Sequence, residues 1–242
     1  MNSKAMEVYG IALMDYFNGD KSATLKIRRD DGYESPLPVH HFFREPSELT
    51  PTDKAAIENC KGHVLDMGAG TGLHSLVLQQ KGFTVTAIDV NQHAVEIMIK
   101  RGVKHVRCAD IFEYSGRQFD TILMLGHGIG MVETIAGLDR FLSHAHSLLA
   151  ADGQVLLDSM DVRVADDQKH LDYLEANRKA GRYLGEIRMQ FEYQGSTGPF
   201  CGWLHVDSET LKQHAIRLGW VCEVIVHEGA EYLARLTKAR DV

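Results

Sequence analysis

From Gly62 onward, short apolar runs alternate with stretches whose apolar residues return at three- and four-residue spacing. A short apolar run bounded by glycine and polar residues reads as a buried strand, and the second pattern as an amphipathic helix. "HVLDM" (63–67) therefore predicts a strand, and "GLHSLVLQQKG" (72–82) a helix stopped by Gly82. "FTVTAIDV" (83–90) is the next strand. "NQHAVEIMIKRG" (91–102) follows as a helix, with Asn91 as N-cap and Gly102 just past its end. "VKHVRC" (103–108) and "FDTILML" (119–125) are strands three and four. A helix then carries Leu138, Phe141, Leu142, Ala145, Leu148 and Leu149 on one stripe. "ADG" (151–153) ends it, and "QVLLDSM" (154–160) is strand five. Apolar strands separated by helices imply parallel pairing with right-handed crossovers, an α/β doubly wound sheet with helices on both faces.

The flanks follow other patterns. Residues 1–60 predict an N-terminal arm or lid. It holds a helix, two extended pieces of "TLKIRRDDGYESPLPVHHFFR" around the Asp31-Gly32 turn, and a helix over "LTPTDKAAIENC" capped by Thr50, with Pro51 and Asp53 in its first turn. Within the main domain, 61–242, the segment 161–207 breaks the alternation with a charged helix and two aromatic-bearing strands, "EIRMQFEYQG" and "FCGWLHVD", an inserted substrate cap. After the helix "SETLKQHAIRLG", the run "WVCEVIVHEGAEYLARLTK" closes the chain as two strands. Their connecting turn is too short for a parallel crossover, so they pair antiparallel.

Composition narrows the class. Hydrophobic residues make up 44% and charged residues 24% of 242, ordinary for a soluble globular protein. No apolar run reaches membrane-spanning length, and no signal peptide core opens the chain, so a cytoplasmic location without a membrane partner is expected. The four cysteines lie far apart, which predicts neither a disulfide framework nor a zinc knuckle. Net charge is −7 with scattered Lys and Arg, which argues against a nucleic-acid partner.

The chemistry gathers at strand ends. Gly68, Gly70 and Gly72 form GxGxG between a strand and a helix, with Asp66 before them, Asp89 ending the second strand and Asp110 after the third. In an open parallel sheet those carboxyl ends hold the ligand crevice. The dinucleotide fingerprint GxGxxG is not met, because Leu73 stands at its third glycine, and no YxxxK pair of a nicotinamide oxidoreductase is present. At these residues the sequence resembles the class I S-adenosylmethionine-dependent methyltransferases, with a Rossmann-like fold, over about Gly62–Met160. The resemblance implies a seven-stranded, mostly parallel sheet of order 3-2-1-4-5-7-6 with the last strand antiparallel. It implies that S-adenosyl-L-methionine is the cofactor and S-adenosyl-L-homocysteine its product. Gly68, Ala69, Gly70 and Gly72 would wrap the methionine and ribose portion, with Asp66 near the ammonium. Asp89 would bind the ribose, Val90 would pack on the adenine, and Asp110 and Ile111 would contact it. The charge logic agrees, since the cofactor carries a sulfonium and an ammonium but no phosphate.

The acceptor is expected beside "LMLGHGIGMVE" (123–133), where Leu125 and three glycines border the crevice and His127 is the candidate general base. The competing role for His127 is a hydrogen bond to the cofactor carboxylate or a loop carbonyl. "GHGI" stands where amino-group methyltransferases acting on DNA or glutamine carry an NPPY-like tetrapeptide. "PVHHFFR" reads as part of a lid, in which Arg44 could hold a carboxylate, or as a plain structural hairpin. His74 could touch the cofactor carboxylate or face solvent. His144 and His146 sit two apart on a helix and cannot share a metal, and no metal is expected. The reading is direct methyl transfer to a small-molecule acceptor through O, N or S. A protein or RNA methyltransferase and a non-catalytic cofactor-binding module stand as alternatives, and the oligomeric state stays open.

Overall fold

A computed structural model describes residues 3–165 and 167–239. In chain order its elements are α1 Glu7–Asn18, β1 Thr24–Arg29, β2 Glu34–Pro38, α2 Pro51–Asn59, β3 His63–Met67, α3 Leu73–Gln80, β4 Thr84–Asp89, α4 Gln92–Arg101, β5 Val106–Cys108, β6 Phe119–Met124, α5 Ile135–Leu148, β7 Leu149–Met160, α6 Gln168–Lys179, β8 Glu186–Tyr193, β9 Ser196–Thr197, β10 Cys201–Leu204, α7 Ser208–Arg217, β11 Trp220–Glu228 and β12 Glu231–Lys238. Short 3-10 turns cover Val39–Phe43 and Gly128–Val132.

Seven strands form the main sheet in the order β11-β12-β7-β6-β3-β4-β5. Numbered along the chain within that sheet, the order is 3-2-1-4-5-7-6. β3 to β7 pair parallel, and β12 runs antiparallel to both β7 and β11. Alternate residues on each strand serve opposite layers. Leu65, Ile122, Val155 and Leu157 pack with Leu138, Phe141 and Leu142 of α5 and Leu211 of α7. Val64, Leu123 and Leu156 face Ala56 and Ile57 of α2 and Val77 and Leu78 of α3. The strand order reverses beside β3, so the crevice at the carboxyl ends of β3, β4 and β6 is the topological switch point.

The ends of the helices follow their sequence signals. The Thr50 hydroxyl accepts the Asp53 N–H while the Asp53 carboxylate accepts the Thr50 N–H, and Asn91 caps α4 by accepting from His93 and Ala94. Several boundaries differ from the sequence reading, among them that of β5, which begins at Val106 rather than Val103. Leu149, counted into the α5 stripe by spacing, has extended backbone (φ −97°, ψ 139°) and starts β7. "ADG" is therefore not a stop before a strand. It lies in an irregularity of β7, where pairing with β6 jumps from Phe119↔Leu149 to Thr121↔Gln154.

The arm and the insert make one structure. β1 pairs with β2 on one side and with β8 on the other, giving the order β10-β8-β1-β2 with β9 on β8, all antiparallel. Leu13, Leu25, Phe191 and Tyr193 form its core against α1 and Ala94 and Ile97 of α4. Leu13 and Leu25 are fully buried, each worth about 1.5–3 kcal/mol of transfer free energy. α2, grouped with the arm by position, packs instead on the main sheet.

Candidate functional site

β3 ends at Met67, and the chain turns through three glycines with positive φ (+70°, +56° and +85°) before α3 begins. L-residues rarely adopt that conformation, which accounts for three glycines in five positions. Their surroundings separate their roles. A side chain on Gly68 would strike the sulfur and methyl of Met131, and one on Gly72 would stand 2.9 Å from Val103 Cγ2. A Cβ on Gly70 meets no atom within 4 Å. Gly72 thus lets α3 pack on α4, whereas Gly70 leaves bare backbone facing a ligand space.

That space is a cavity of about 210 Å³. Of the residues predicted from sequence, Gly68, Ala69, Gly70, Asp89, Val90 and Leu125 line it. Asp89 is fixed from both sides, because the Gly70 N–H donates to its Oδ2 at 2.9 Å and the Asn91 N–H to its Oδ1 at 2.8 Å. Burial pushes its carboxyl up to about 6, against these two hydrogen bonds. Each oxygen keeps a lone pair for a further donor, the requirement for holding two ribose hydroxyls.

Asp66, Gly72, Asp110, Ile111 and His127 do not line the cavity. Asp66 lies behind the glycine loop, 2% exposed, accepting the Ser75 hydroxyl at 2.6 Å. Asp110 accepts the Phe112 N–H at 2.7 Å and borders a separate groove with Glu133, Thr134 and Arg140. Ile111 is buried in the main core. His127 has neighbours on both sides, Gly126 and Gly128, in the cavity wall, but its own ring meets Glu231 and His205.

The cap supplies the roof. Met6, Tyr9, His41, Phe42 and Arg44 come from the arm, and Trp203 from β10. Tyr9 and Phe42 meet edge to face at 5.0 Å, and the Thr71 hydroxyl donates to the Phe42 carbonyl. Of these, "PVHHFFR" carried a signal in its aromatic pair and arginine, and Tyr9 and Trp203 as aromatics of the arm and the insert, open between covering an acceptor and forming the cap's own small core. Met131 had none, because a 3-10 turn brings it there.

Arg44 and His74 share one carboxylate. Arg44 Nη1 donates to Asp53 Oδ2 at 2.8 Å, and His74 Nε2 lies 2.8 Å from Asp53 Oδ1. Burial alone would lower the imidazole pKa, but the Asp53 bond and the charges of Asp66 and Asp158 raise it. For Asp53, burial is outweighed by His74, the Thr50 N–H and Arg44, which hold it well below the usual carboxylate range. Arg44 and His74 line the same cavity as Asp89. A guanidinium, a carboxylate and bare glycine backbone on one cavity suit a zwitterionic nucleoside better than a diphosphate.

Fold and site together define a nucleoside-binding α/β enzyme with its crevice at the switch point. Residues 39–222 match the family model described as a methyltransferase domain. The chain is similar to a crystal structure of a SAM-dependent methyltransferase from Bacteroides fragilis in complex with S-adenosyl-L-homocysteine, at 32% identity and a TM-score of 0.86, covering 99% of this chain and 98% of that one. It is 24% identical over 198 residues to glycine/sarcosine N-methyltransferase of Aphanothece halophytica, covering 70% of this chain and 73% of that protein. It is 28% identical over 106 residues to ubiquinone biosynthesis O-methyltransferase of Caulobacter sp. (strain K31), covering 40% of each. The chain belongs to the methyltransferase domain family, in its S-adenosylmethionine-dependent class I branch. Among the described residues no helix is long and apolar enough to cross a membrane, and no group of three His, Cys, Asp or Glu could hold a metal ion.

Proposed function

We propose that this methyltransferase acts on a small-molecule acceptor within a pocket roofed by its own cap. The observation that carries this reading is the roof. Tyr9, Phe42 and Trp203, from both halves of the cap, line the same cavity as Gly70 and Asp89. A crevice closed in this way admits a metabolite more readily than a folded protein or an RNA duplex.

The residues present fit the cofactor, since a side chain at Gly70 would project into empty space and Asp89 faces the cavity. Asp89 would hold the ribose hydroxyls, Val90 would pack on the adenine, and Gly68 to Gly70 would lie along the methionine portion. Arg44 and His74 would face the carboxylate. When bound, the cofactor supplies a methyl group on a sulfonium, already a good leaving group. The protein's task is then alignment and exclusion of water. His127 would accept a proton from the acceptor. Asp66 stands behind the loop, and Asp110 lies outside the cavity on a neighbouring groove.

Calorimetry with S-adenosyl-L-homocysteine and NADH tests the cofactor assignment, and methyl transfer from labelled S-adenosyl-L-methionine to a metabolite panel tests the acceptor class. Binding of NADH alone, or transfer only to protein or RNA, would overturn the reading.

A further inference from the structure

His127 is held in the left-handed region (φ 58°, ψ 33°), where a non-glycine residue costs roughly 1 kcal/mol. The loop is clamped in that shape. Asp158 accepts the Gly126 N–H at 3.1 Å with one oxygen and the His127 N–H at 2.8 Å with the other. A glycine would hold the same turn without strain, so the strain goes with what the side chain is placed against.

Two groups meet the His127 ring. Glu231, at the start of β12, has its Oε1 3.7 Å from His127 Nε2. His205, in the segment after β10, lies edge to face with it at 5.4 Å and 82°. His205 Nδ1 is fully buried with no hydrogen-bond partner, and neither ring nitrogen bonds to a described residue. An unpartnered buried polar group costs about 1–3 kcal/mol, so it marks a place where a ligand improves the balance. Two residues earlier, Trp203 presses on Gly130 and lines the cofactor cavity. The cap therefore hangs an imidazole over His127 at the rim of that cavity.

We propose that His205 and Glu231 complete, with His127, the acceptor site of this enzyme, and that the site takes a phenolic hydroxyl on a small aromatic molecule. This rests on the small-molecule reading above. Chemistry selects among nucleophiles. An amine attacks through its neutral lone pair and can shed its proton after the transfer, so it does not need a base at the moment of attack. A thiol ionises near pH 8.5 and needs little help. A phenol, near 10, falls within reach of an imidazole base backed by a carboxylate. Trp203 and Tyr9 offer flat apolar surfaces next to the rim. His205 is kept neutral, pushed down to about 3 by burial and by His127 and His170, so it offers a hydrogen bond without competing for the proton. The groups facing His127 are Asp158 on β7, Glu231 on β12 and His205 on the cap, and His170 of α6 adds to the charge felt by His205. The acceptor hydroxyl gives its proton to His127, and its oxygen lone pair bonds to the methyl carbon as the carbon–sulfur pair stays on sulfur. His127 is the proton acceptor, His205 binds the acceptor and Glu231 is a positioning residue.

The test uses 4-nitrophenol as a probe of the enzyme saturated with S-adenosyl-L-homocysteine. Bound probe is expected to show phenolate absorbance at a pH where the free compound is protonated. Glu231→Gln should keep binding but move that ionisation up by about one pH unit, through loss of a neighbouring charge. His205→Leu should weaken probe binding at least tenfold, His205→Gln less, with S-adenosyl-L-homocysteine affinity within twofold of wild type in each. Methyl transfer should favour simple phenols over matched anilines and thiols. Absent binding of 4-nitrophenol, an unchanged response in both Glu231→Gln and His205→Leu, or preferred transfer to anilines or thiols would overturn the proposal. Failure of S-adenosyl-L-homocysteine to bind would instead overturn the cofactor assignment.

Discussion

Asp89 and His127 show how single residues are held for work at a cost. Burial raises the Asp89 carboxyl to about 6, so the folded protein retains its proton at a pH where an exposed carboxylate has lost it. Acceptance of ribose hydroxyls, the role proposed for Asp89, needs the ionised form. S-adenosyl-L-homocysteine affinity should therefore be level above pH 7 and fall towards tenfold per unit below about 6, as calorimetry from pH 5 to 8 would show. The sign for folding is opposite. A carboxyl raised in the folded state makes folding less favourable as pH climbs from about 4 to 6. His127 holds its place by strain. His127→Gly should raise stability by about 1 kcal/mol in urea unfolding, because glycine tolerates φ near 58°. The same change should lower turnover if the ring accepts the proton. A stabilised variant with full activity would leave the strain without a catalytic purpose.

At the scale of elements, the latch between the lid, α2 and α3 centres on Asp53, whose side chain is 3% exposed, accepts from Arg44 and the Thr50 N–H, and meets the His74 ring. Asp53 is held below its usual range and His74 above it, so their pairing stabilises the fold between about pH 4 and the raised histidine value. It is lost below, as Asp53 protonates, and above, as His74 deprotonates. Asp53→Asn should cost about 3 kcal/mol near pH 6, with the gap to wild type narrowing at both limits in a pH series of urea titrations. Local signals of this kind were legible in the sequence. Thr50-Pro51 capped α2 as expected, Asn91 and Gly102 bounded α4, and the glycine loop and Asp89 came together on the cavity. Elements whose partners lie far along the chain were not legible. Nothing in "KIRR" announces that β1 will pair with β8, and the aromatic of "CGWL" does not say which cavity Trp203 will line. Leu149 fits the helical stripe by spacing, yet its pairing with Phe119 draws it into β7.

The whole molecule is a sheet with its own cores and a cap assembled from both ends of a long excursion. Lys26 and Arg28 of β1 pair with Glu192 of β8 at 3.3 and 2.7 Å, exposed contacts worth little alone. The apolar face beneath them decides whether the cap holds. Phe191 is 3% exposed and stacks obliquely on Tyr9 at 5.5 Å, joining insert to arm. Phe191→Ala should cost about 3–5 kcal/mol of cap stability. The seven-stranded sheet buries its residues in separate clusters and should stay folded. Because Phe42 and Trp203 share one cavity, adding S-adenosyl-L-homocysteine to the wild type should slow amide exchange at 39–44 and 201–205 together, although the two segments lie far apart in sequence. In Phe191→Ala both should lose that protection while the backbone of the glycine loop, which belongs to the sheet, keeps it. Protection lost in one segment alone would mean that arm and insert act separately, and that the roof over the cavity is not a unit.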